Sequence, residues 1–461
     1  MDFTELFSLL GYEKDEIKEE GSRIGKALEI MEIDDDDIKF AVDRIKKYYD
    51  VELVGVRKIL GFWMDAAIEL VMAKDEGKKL VYMGGPPEGK TLTALNMLDD
   101  VVCTCPEIAY AAPMGCFFDK LTPVLEAGEM AGVPSAFAHC SENIIGVGMY
   151  EKELCPKPEV FISSGFYCDQ SAKFGEFIDE IYGIPVIQLE CVEDANWDEF
   201  PAVSERRVKY FGESIRDCLN ELESTYRLKL SEDILKQARV TYGKYWYAMG
   251  AIWDLMIKAD PQPISCTIFP LMVMGGVLPS KRIQKTGIKV LNTLVKEIKK
   301  RADEGKGVCR KGAPRTALQV GSLVDPSLDR MFEECGLAMI GNWEFWKAPT
   351  EWVKSKYTTF EDKTAEGFLQ HGIIHSAPGF IQLMKDACKY WNLDGLILFY
   401  PFNCRPMACS AIIAKKIIES EMDIPVLPLE GDFADSRRYS SAALRTRVET
   451  FVELLKMNKV A

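Results

Sequence analysis

Three cysteines of this sequence each follow a short hydrophobic run. The runs and their cysteines are Val133–Ala138 with Cys140, Val160–Ser164 with Cys168, and Gly395–Tyr400 with Cys404. Each run is rich in Val, Ile, Phe or Tyr and is closely followed by a helix-like stretch, which is typical of buried parallel strands in an α/β sheet. Because ligands of such sheets bind outside the carboxyl ends of the strands, we expect the three thiols to share one site.

Three converging thiolates are soft ligands, and soft ligands select soft metals or iron–sulfur clusters. For a single cysteine, packing as a small buried hydrophobe would be the better explanation. Here three cysteines lie at strand ends, and Cys404 is far along the chain from the other two. This arrangement favours ligation of a shared cluster over packing. Four irons held by three cysteines would leave one iron open for chemistry.

The remaining cysteines divide into two groups. Those near the same loops are candidates for further ligands, although packing explains each of them taken alone: Cys103, Cys105, Cys116, Cys155 and Cys409. The others fall in predicted helices or linkers, where we expect structural roles: Cys191, Cys218, Cys266, Cys309, Cys335 and Cys388.

Proton-handling groups are few, because the sequence has only three histidines. His139 directly precedes the first of the three site cysteines, whereas His371 and His375 lie in a loop-like segment. A structural role is the first interpretation for each histidine. The alternative is a functional one, proton transfer near the thiols. Glu142 and Asp169, which lie beside the cysteines, are candidates for the same role.

The segment Gly84–Thr91 matches the phosphate-binding pattern GxxxxGK[ST] between a predicted strand and a predicted helix. A phosphate cradle works through consecutive backbone N–H groups, and Pro86 and Pro87 have none to offer. No convincing strand that ends in a magnesium-binding aspartate follows. A turn that starts a helix is therefore the better interpretation, with an ATP site as the alternative.

A second polar motif follows the last predicted strand. It places Asp432, Asp435 and Arg437 close together in the sequence. Alternating acids and arginines at a strand end can form an ion-pair brace that fixes a loop, or they can contact an anionic substrate. The brace is the safer interpretation.

Two α/β regions must position these residues. Strands are predicted at Lys79–Met83, Ile108–Ala111, Val133–Ala138, Val160–Ser163, Ile184–Leu189, Thr316–Val320, Leu337–Ile340, Gly395–Tyr400 and Ile424–Leu429. Long helices are predicted between the two regions, at Val203–Tyr226, Ser231–Ile257 and Lys281–Ala302. Alternating strands and helices predict an α/β fold with parallel sheets. We expect a helical N-terminal segment at residues 1–76, a first α/β lobe at 77–200, a helical segment at 201–310 and a second α/β lobe at 311–461.

Composition limits the class of protein. A chain of 461 residues predicts two or three domains, and a hydrophobic content of 48% with 28% charged residues is that of an ordinary globular protein. The net charge of -15 argues against nucleic acid or an anionic membrane as partner. No uncharged apolar stretch reaches membrane-spanning length. Met1–Glu5 shows no secretory signal, so we expect a cytoplasmic protein whose fourteen cysteines stay reduced. A thiol-held cluster would favour an anaerobe.

The order and spacing of several segments resemble those of a known family. These segments are Pro86–Gly89, Pro106–Ala112, Cys140, Cys168 with Lys173, Tyr210–Tyr226, Leu230–Leu235, Asp394–Ile397, Asn403–Cys404, Ile424–Val426, Glu430–Asp432, Asp435–Arg437 and Thr446–Phe451. From about residue 79 onward, the chain is similar to the large-component subunits of the 2-hydroxyacyl-CoA dehydratase and ATP-dependent benzoyl-CoA reductase family.

The resemblance implies two Rossmann-like α/β lobes with additional helices and a [4Fe-4S] cluster between the lobes. It implies cluster ligands at the positions matching Cys140, Cys168 and Cys404. It also implies an acyl-CoA substrate, a homologous second subunit or a second copy as partner, and a separate ATP-hydrolysing iron–sulfur activator that supplies single electrons. An ATP site in this chain is then unnecessary. One relative in the family holds a double-cubane cluster, and the extra cysteines keep that alternative open here.

The function that the resemblance implies is dehydration of an (R)-2-hydroxyacyl-CoA. One electron on the thioester carbonyl gives a ketyl radical anion, which expels the neighbouring hydroxyl and makes the β-proton far more acidic. After the loss of that proton, the electron returns to the cluster, whose open iron acts as a Lewis acid for the carbonyl oxygen. The alternatives are a benzoyl-CoA-reductase-type subunit, a double-cubane reductase of small molecules, a non-catalytic electron-relay or scaffold subunit, and a nucleotide-binding protein.

Overall fold

The computed structural model describes residues 2–85, 87–133, 139–165, 168–190, 202–342, 355–370 and 376–460. Within these ranges the strands form two four-stranded sheets, and every strand pairing in them is parallel. Helices surround both sheets. The predicted α/β fold with two parallel sheets is confirmed, whereas the domain boundaries after residues 76, 200 and 310 stay predictions.

Four helices precede the first sheet. They are α1 (Thr4–Leu9), α2 (Lys14–Ile30), α3 (Asp35–Tyr48) and α4 (Val54–Met72). Helix α3 begins where it does because the Asp34 carboxylate accepts the backbone N–H groups of Asp36 and Asp37, both at 2.9 Å. Lysines occupy its last turn, where positive charge is favoured. Helix α4 is apolar on almost every face because other elements cover it.

The first sheet has the strand order β2-β1-β3-β4. Its strands are β1 (Lys79–Met83), β2 (Val101–Thr104), β3 (Val160–Ser164) and β4 (Val186–Leu189). The helices between and beside them are α5 (Gly89–Leu95), α6 (Pro106–Pro113), α7 (Thr122–Met130), α8 (Ser141–Glu151) and α9 (Asp169–Tyr182), with a π-helical turn at Met114–Phe118.

The strand predicted at Ile108–Ala111 is wrong. These residues belong to α6, which starts with Pro106 at a position where the missing N–H is harmless. Every residue of α6 is buried, and a short apolar run without polar interruptions does not distinguish a buried helix from a buried strand. The strand is formed instead by the preceding hydrophobic run in the sequence, which is β2. The strand predicted at Val133–Ala138 falls mostly outside the described residues and stays a prediction.

Long helices connect the two sheets. They are α10 (Glu205–Ser224), α11 (Glu232–Lys258), α12 (Phe269–Val277) and α13 (Lys281–Asp303). The three predicted long helices are confirmed as α10, α11 and α13. Each begins after a serine whose hydroxyl oxygen accepts an N–H group of the first turn at 3.3 Å: Ser204, Ser231 and Ser280. None of the helices in the described ranges combines the length and the apolar character needed to cross a lipid bilayer.

The second sheet repeats the arrangement of the first, with the order β6-β5-β7-β8. Its strands are β5 (Arg315–Gln319), β6 (Ala338–Asn342), β7 (Gly395–Pro401) and β8 (Val426–Gly431). Its helices are α14 (Pro326–Glu334), α15 (Phe360–Leu369), α16 (Ser376–Tyr390), α17 (Arg405–Met422) and α18 (Ser441–Val460). All four strands predicted in this region are confirmed. In both sheets the first strand lies between the second and the third, so the two halves share one topology.

The predicted ion-pair brace forms, and it joins the two lobes. Asp435 accepts hydrogen bonds from Nε of Arg437 at 2.8 Å and from Nε of Arg438 at 3.0 Å. Both arginines also reach Glu129 at the end of α7, at 3.1 and 2.7 Å. Because Asp435 is almost fully buried, its charge is paired where solvent does little to screen it.

Candidate functional site

The three site cysteines occupy equivalent positions, each immediately before the first residue of a helix. Cys140 precedes α8, Cys168 precedes α9 and Cys404 precedes α17. The start of a helix carries unpaired backbone N–H groups and the positive end of the helix dipole. Both features favour a thiolate over a thiol, so the three helix starts are suited to cysteines that act as ligands.

Two of these cysteines also occupy matching places in the two sheets. Cys168 follows β3 and Cys404 follows β7, which are the third strands of sheets with the same strand order. In each sheet the third strand lies beside the first, at the point where the direction of strand addition reverses. Ligands of open α/β sheets bind at the carboxyl ends of strands at this point, so the topology supports a site here.

Two side-chain amides join the loops that carry the three cysteines. Oε1 of Gln170 accepts the backbone N–H of Cys140 at 2.9 Å, and Nε2 of Gln170 donates to the carbonyl of Asn403 at 2.9 Å. Nδ2 of Asn403 in turn donates to the carbonyl of His139 at 2.6 Å. Gln170 is two residues beyond the second cysteine and Asn403 directly precedes the third, so all three loops meet.

The three thiols are close enough to affect one another electrostatically. Burial raises the pKa of Cys140, and the neighbouring Glu142, Cys168 and Cys404 raise it further. Burial is also the main reason why the pKa of Cys404 rises to about 12. The thiols of Cys140 and Cys404 therefore keep their protons until a cation compensates the charge, and a coordinated metal does this directly.

Three cysteine thiols are a donor set of the kind that holds iron–sulfur clusters. Among the described residues, no group of three His, Cys, Asp or Glu side chains could hold one metal ion. In a cubane each cysteine ligates its own iron, so the sulfurs surround the cofactor instead of meeting at one atom. Two buried polar atoms beside the thiols also lack a hydrogen-bond partner in the described structure, Nδ1 of His139 and Oδ1 of Asn403. Unpaired buried polar atoms are uncommon and fit a polar or ionic group between the loops.

Asp169 and Arg405 form an ion pair between the first residues of α9 and α17. About half of each side chain is exposed, at 51% and 47% respectively. The pair therefore lies on the open side of the cysteine loops and adds a further contact between the lobes. The proton-handling roles of Asp169 and His139 stay predictions. His371, His375 and Cys191 lie outside the described residues.

A buried acid cluster, formed by Cys105, Glu107 and Glu142, adjoins the thiols. Sγ of Cys105 donates to Oε2 of Glu107 at 3.0 Å and lies 3.8 Å from Oε1 of Glu142. Burial raises the pKa of Glu107 to about 7, and burial together with the charge of Glu107 raises that of Glu142 to about 8. Both carboxyl groups can therefore be protonated near neutral pH.

Of this cluster, only Glu142 was predicted as a proton-handling residue. Cys105 directly follows β2 and precedes α6, so it obeys the same strand–cysteine–helix rule as the site cysteines. The rule misses it because the strand was placed at the wrong run. Of the other candidate ligands, Cys103, Cys116 and Cys155 are buried and Cys409 is exposed on α17.

Asp432, which follows β8, is a further buried carboxyl group close to the site. Burial raises its pKa to about 6, and one of its oxygens, Oδ2, has no hydrogen-bond partner in the described part of the chain. Its charge acts on Cys404. The backbone N–H of Ala434 bonds both to Asp432 and to the hydroxyl of Ser141, which links this strand end to the start of α8.

The Gly84–Thr91 segment starts a helix, as predicted, and the structure adds a reason against a phosphate cradle. The Glu88 carboxylate accepts the backbone N–H groups of Lys90 at 3.0 Å and of Thr91 at 2.6 Å. These are donors that a phosphate would need. The segment also touches the buried acid cluster, since a Cβ added at Gly85 would collide with Oε1 of Glu142.

Comparison with known proteins gives matches over most of the chain. Residues 101–455 match the family model described as 2-hydroxyglutaryl-CoA dehydratase, D-component. The alpha subunit of (R)-2-hydroxyglutaryl-CoA dehydratase from Acidaminococcus fermentans is 22% identical over 335 residues, which cover 67% of this chain and 63% of that protein. The alignment thus spans less than two thirds of this relative.

Two other relatives are more fully covered. The (R)-2-hydroxyisocaproyl-CoA dehydratase alpha subunit of Clostridioides difficile is 21% identical, over 70% of this chain and 78% of its own length. A benzoyl-CoA reductase subunit from Thauera aromatica is 20% identical, over 66% and 72%. These matches confirm the resemblance seen in the sequence.

Replacing Gln170 by leucine should loosen the site. The change leaves the N–H of Cys140 and the carbonyl of Asn403 without their partner, and each unpaired buried group costs about 1–3 kcal/mol. We expect a lower urea midpoint and faster alkylation of the Cys404 thiol in metal-free protein. The matched control is Gln237→Leu on the exposed face of α11, which should match wild type. Equal alkylation rates in the two variants would contradict the bridging role.

Replacing Glu107 by glutamine should reduce the pH dependence of stability. The pKa of this carboxyl is about 7 in the folded protein against an ordinary 4.5, so between these values the folded state binds more protons than the unfolded state. The free energy of unfolding therefore falls as pH rises through this window, by about 3 kcal/mol at most. Glutamine cannot ionise, so urea unfolding of the variant should show a smaller fall between pH 5 and pH 8. Glu180→Gln, at an exposed position, should keep the wild-type slope, and an unchanged slope in Glu107→Gln would refute the assignment.

Proposed function

This chain belongs to the 2-hydroxyglutaryl-CoA dehydratase D-component family, and on that basis we propose that it is a subunit of an (R)-2-hydroxyacyl-CoA dehydratase. The observation that carries the proposal is the meeting of three cysteines, each at a helix start, in loops joined by Gln170 and Asn403. The relatives that match include alpha subunits of dehydratases for (R)-2-hydroxyglutaryl-CoA and (R)-2-hydroxyisocaproyl-CoA.

We propose that Cys140, Cys168 and Cys404 hold a [4Fe-4S] cluster between the two lobes. When bound, such a cluster supplies a strongly reducing electron and a Lewis-acidic iron for the thioester carbonyl. The protein holds the three thiolates at helix starts, where the N–H groups and dipoles stabilise their negative charge. Gln170 and Asn403 fix the loops, so little rearrangement is needed to keep the ligands in place.

We assign proton transfer first to the buried acid cluster of Cys105, Glu107 and Glu142. The carboxyl group of Glu142 is buried beside the thiols, and Cys105 connects it to Glu107. The three groups form a short row along which a proton can pass away from the substrate. We rank Glu142 above His139 and Asp169, because Asp169 is already paired with Arg405 on the open side of the site.

The names of the relatives also bear on partners. The dehydratase alpha subunits and the reductase subunit are named as parts of larger enzymes, and we propose that this chain likewise works with a second subunit. An ATP-hydrolysing iron–sulfur activator would deliver the electron, since the segment Gly84–Thr91 uses its helix-start N–H groups internally. The cytoplasmic location that the reduced thiols favour stays a prediction.

One alternative has a specific observation in its favour. The benzoyl-CoA reductase subunit is among the relatives, at nearly the same identity as the dehydratase subunits. A double-cubane enzyme would need further ligands, and one candidate is Cys105, which lies 3.8 Å from Oε1 of Glu142. The reaction product and the iron content separate these possibilities.

Turnover of an (R)-2-hydroxyacyl-CoA tests the function. The anaerobically purified chain, combined with its partner subunit and activator, should form the 2-enoyl-CoA with net loss of water. Reductant should be needed only in catalytic amounts, because the electron returns after each cycle. Mass spectrometry of the thioesters and titration of the reductant measure both quantities. Stoichiometric use of reductant with ring reduction would identify a reductase instead, and absence of turnover would reject the catalytic assignment.

Iron content and electron paramagnetic resonance test the ligand assignment. We expect about four irons and four sulfides per chain and a cluster signal after reduction, both lost in Cys404→Ser. The matched control is Cys409→Ser, since Cys409 lies on the same helix but is exposed. This variant should keep iron and signal. About eight irons per chain would indicate a double cubane, and an unchanged spectrum in Cys404→Ser would reject the site.

A further inference from the structure

The ammonium group of Lys90 lies between two aromatic rings. Its Nζ atom is 5.3 Å from the ring centroid of Tyr242 and 5.5 Å from that of Phe368. The side chain is partly buried, and among the described residues no carboxylate or carbonyl accepts a hydrogen bond from it. A Cβ added at Gly367 would lie only 3.3 Å from Nζ, so the lysine occupies a confined space.

A second unpaired cation is adjacent. Arg239 lies on α11 one turn before Tyr242, and its charge lowers the pKa of Lys90 in addition to the larger effect of burial. Arg239 likewise has no ion-pair partner in the described ranges. The neighbouring carboxylate, Glu88, is already committed to two backbone N–H groups. A partly buried cation without an anion is costly, so this place favours an anion from outside the chain.

The location connects this cation to the cysteine site. Lys90 is five residues beyond Gly85, which touches the buried acid cluster, so their Cα atoms are at most about 18 Å apart. Phe368 belongs to α15, which comes between β6 and β7 in the sequence, whereas Lys90 belongs to α5, which follows β1 in the sequence. Helix α15 packs against α10 and α11, and Tyr242 belongs to α11, so the cation lies where α5, α11 and α15 meet. The family match begins only at residue 101, so Lys90 is a feature of this chain outside the matched segment.

We propose that Lys90, with Arg239 beside it, binds the phosphate groups of the CoA moiety whose thioester reaches the three thiols. This inference rests on the proposed function. Lysine binds phosphate as a point charge, and the faces of Tyr242 and Phe368 stabilise the ammonium when no phosphate is present. A chain with a net charge of -15 repels a polyanionic substrate, so a local positive site is needed where the phosphates lie.

The test compares ligands with and without phosphates. Lys90→Met keeps an unbranched apolar side chain between the rings but removes the charge. Titration calorimetry on the anaerobically purified chain should show free CoA binding about tenfold or more weakly to this variant, the range of a charge-assisted hydrogen bond. Pantetheine, which lacks the phosphates, should bind equally to variant and wild type. In the assembled enzyme, KM for the acyl-CoA should rise while kcat stays unchanged.

Two further variants serve as controls. Lys236→Gln removes a positive charge from an exposed position of the same helix, α11, and should bind CoA as wild type does. Lys90→Arg keeps the charge and should recover part of the affinity. The inference fails if Lys90→Met weakens CoA and pantetheine alike, or neither, or if ATP binds at Lys90 more tightly than CoA. If wild type binds neither CoA nor an acyl-CoA, the proposed function itself fails.

Discussion

The site depends on three helix starts that point toward one place. A thiolate in a partly buried loop needs positive charge nearby, and each helix start contributes about 0.3–1 kcal/mol toward it. The geometry holds only if the loops stay together, and this is done by Gln170 and Asn403, whose amides bond to main-chain atoms of the neighbouring loops. Because the amides bond to main-chain atoms, these hydrogen bonds do not depend on the identity of the surrounding side chains. The sheets and helices hold the three loops where these hydrogen bonds can form.

The sheet arrangement that positions the cysteines occurs twice in the chain. Both sheets have their first strand between the second and the third, and the third strand of each leads into a cysteine and a helix. The two halves meet at those cysteines, and polar contacts fix the meeting. The pair Asp169–Arg405 lies on one side, and the brace from Glu129 to Arg437 and Arg438 lies elsewhere along the boundary. Because ion pairs and amides have directional requirements, they define the relative position of the lobes more closely than apolar contact does.

The sequence was sufficient for those features that follow from chain direction. Parallel strands end on one edge, so a cysteine after a strand predicts a place as well as a residue, and this is why the positions of Cys168 and Cys404 at the strand ends could be predicted. The cradle-like segment was correctly assigned as a helix start, because Pro86 and Pro87 lack the N–H groups that phosphate binding needs.

What the sequence did not reveal depends on contacts between distant segments. The strand at Val101–Thr104 is only four residues long and is followed by a fully buried helix, so hydrophobicity did not separate the two. Gln170 and Asn403 look like ordinary polar loop residues until their loops meet. Glu107 is unusual only because it is buried, and burial is decided by the whole fold.

The order of the ligands along the chain has a consequence for biosynthesis. Asp169 and Arg405, the neighbours of two of the cysteines, are 236 residues apart, and the third cysteine lies in the first half. A ribosome must therefore complete most of the polypeptide before a three-thiol pocket can exist. A cofactor that needs all three thiols can therefore be fully ligated only after residue 404 has been synthesised.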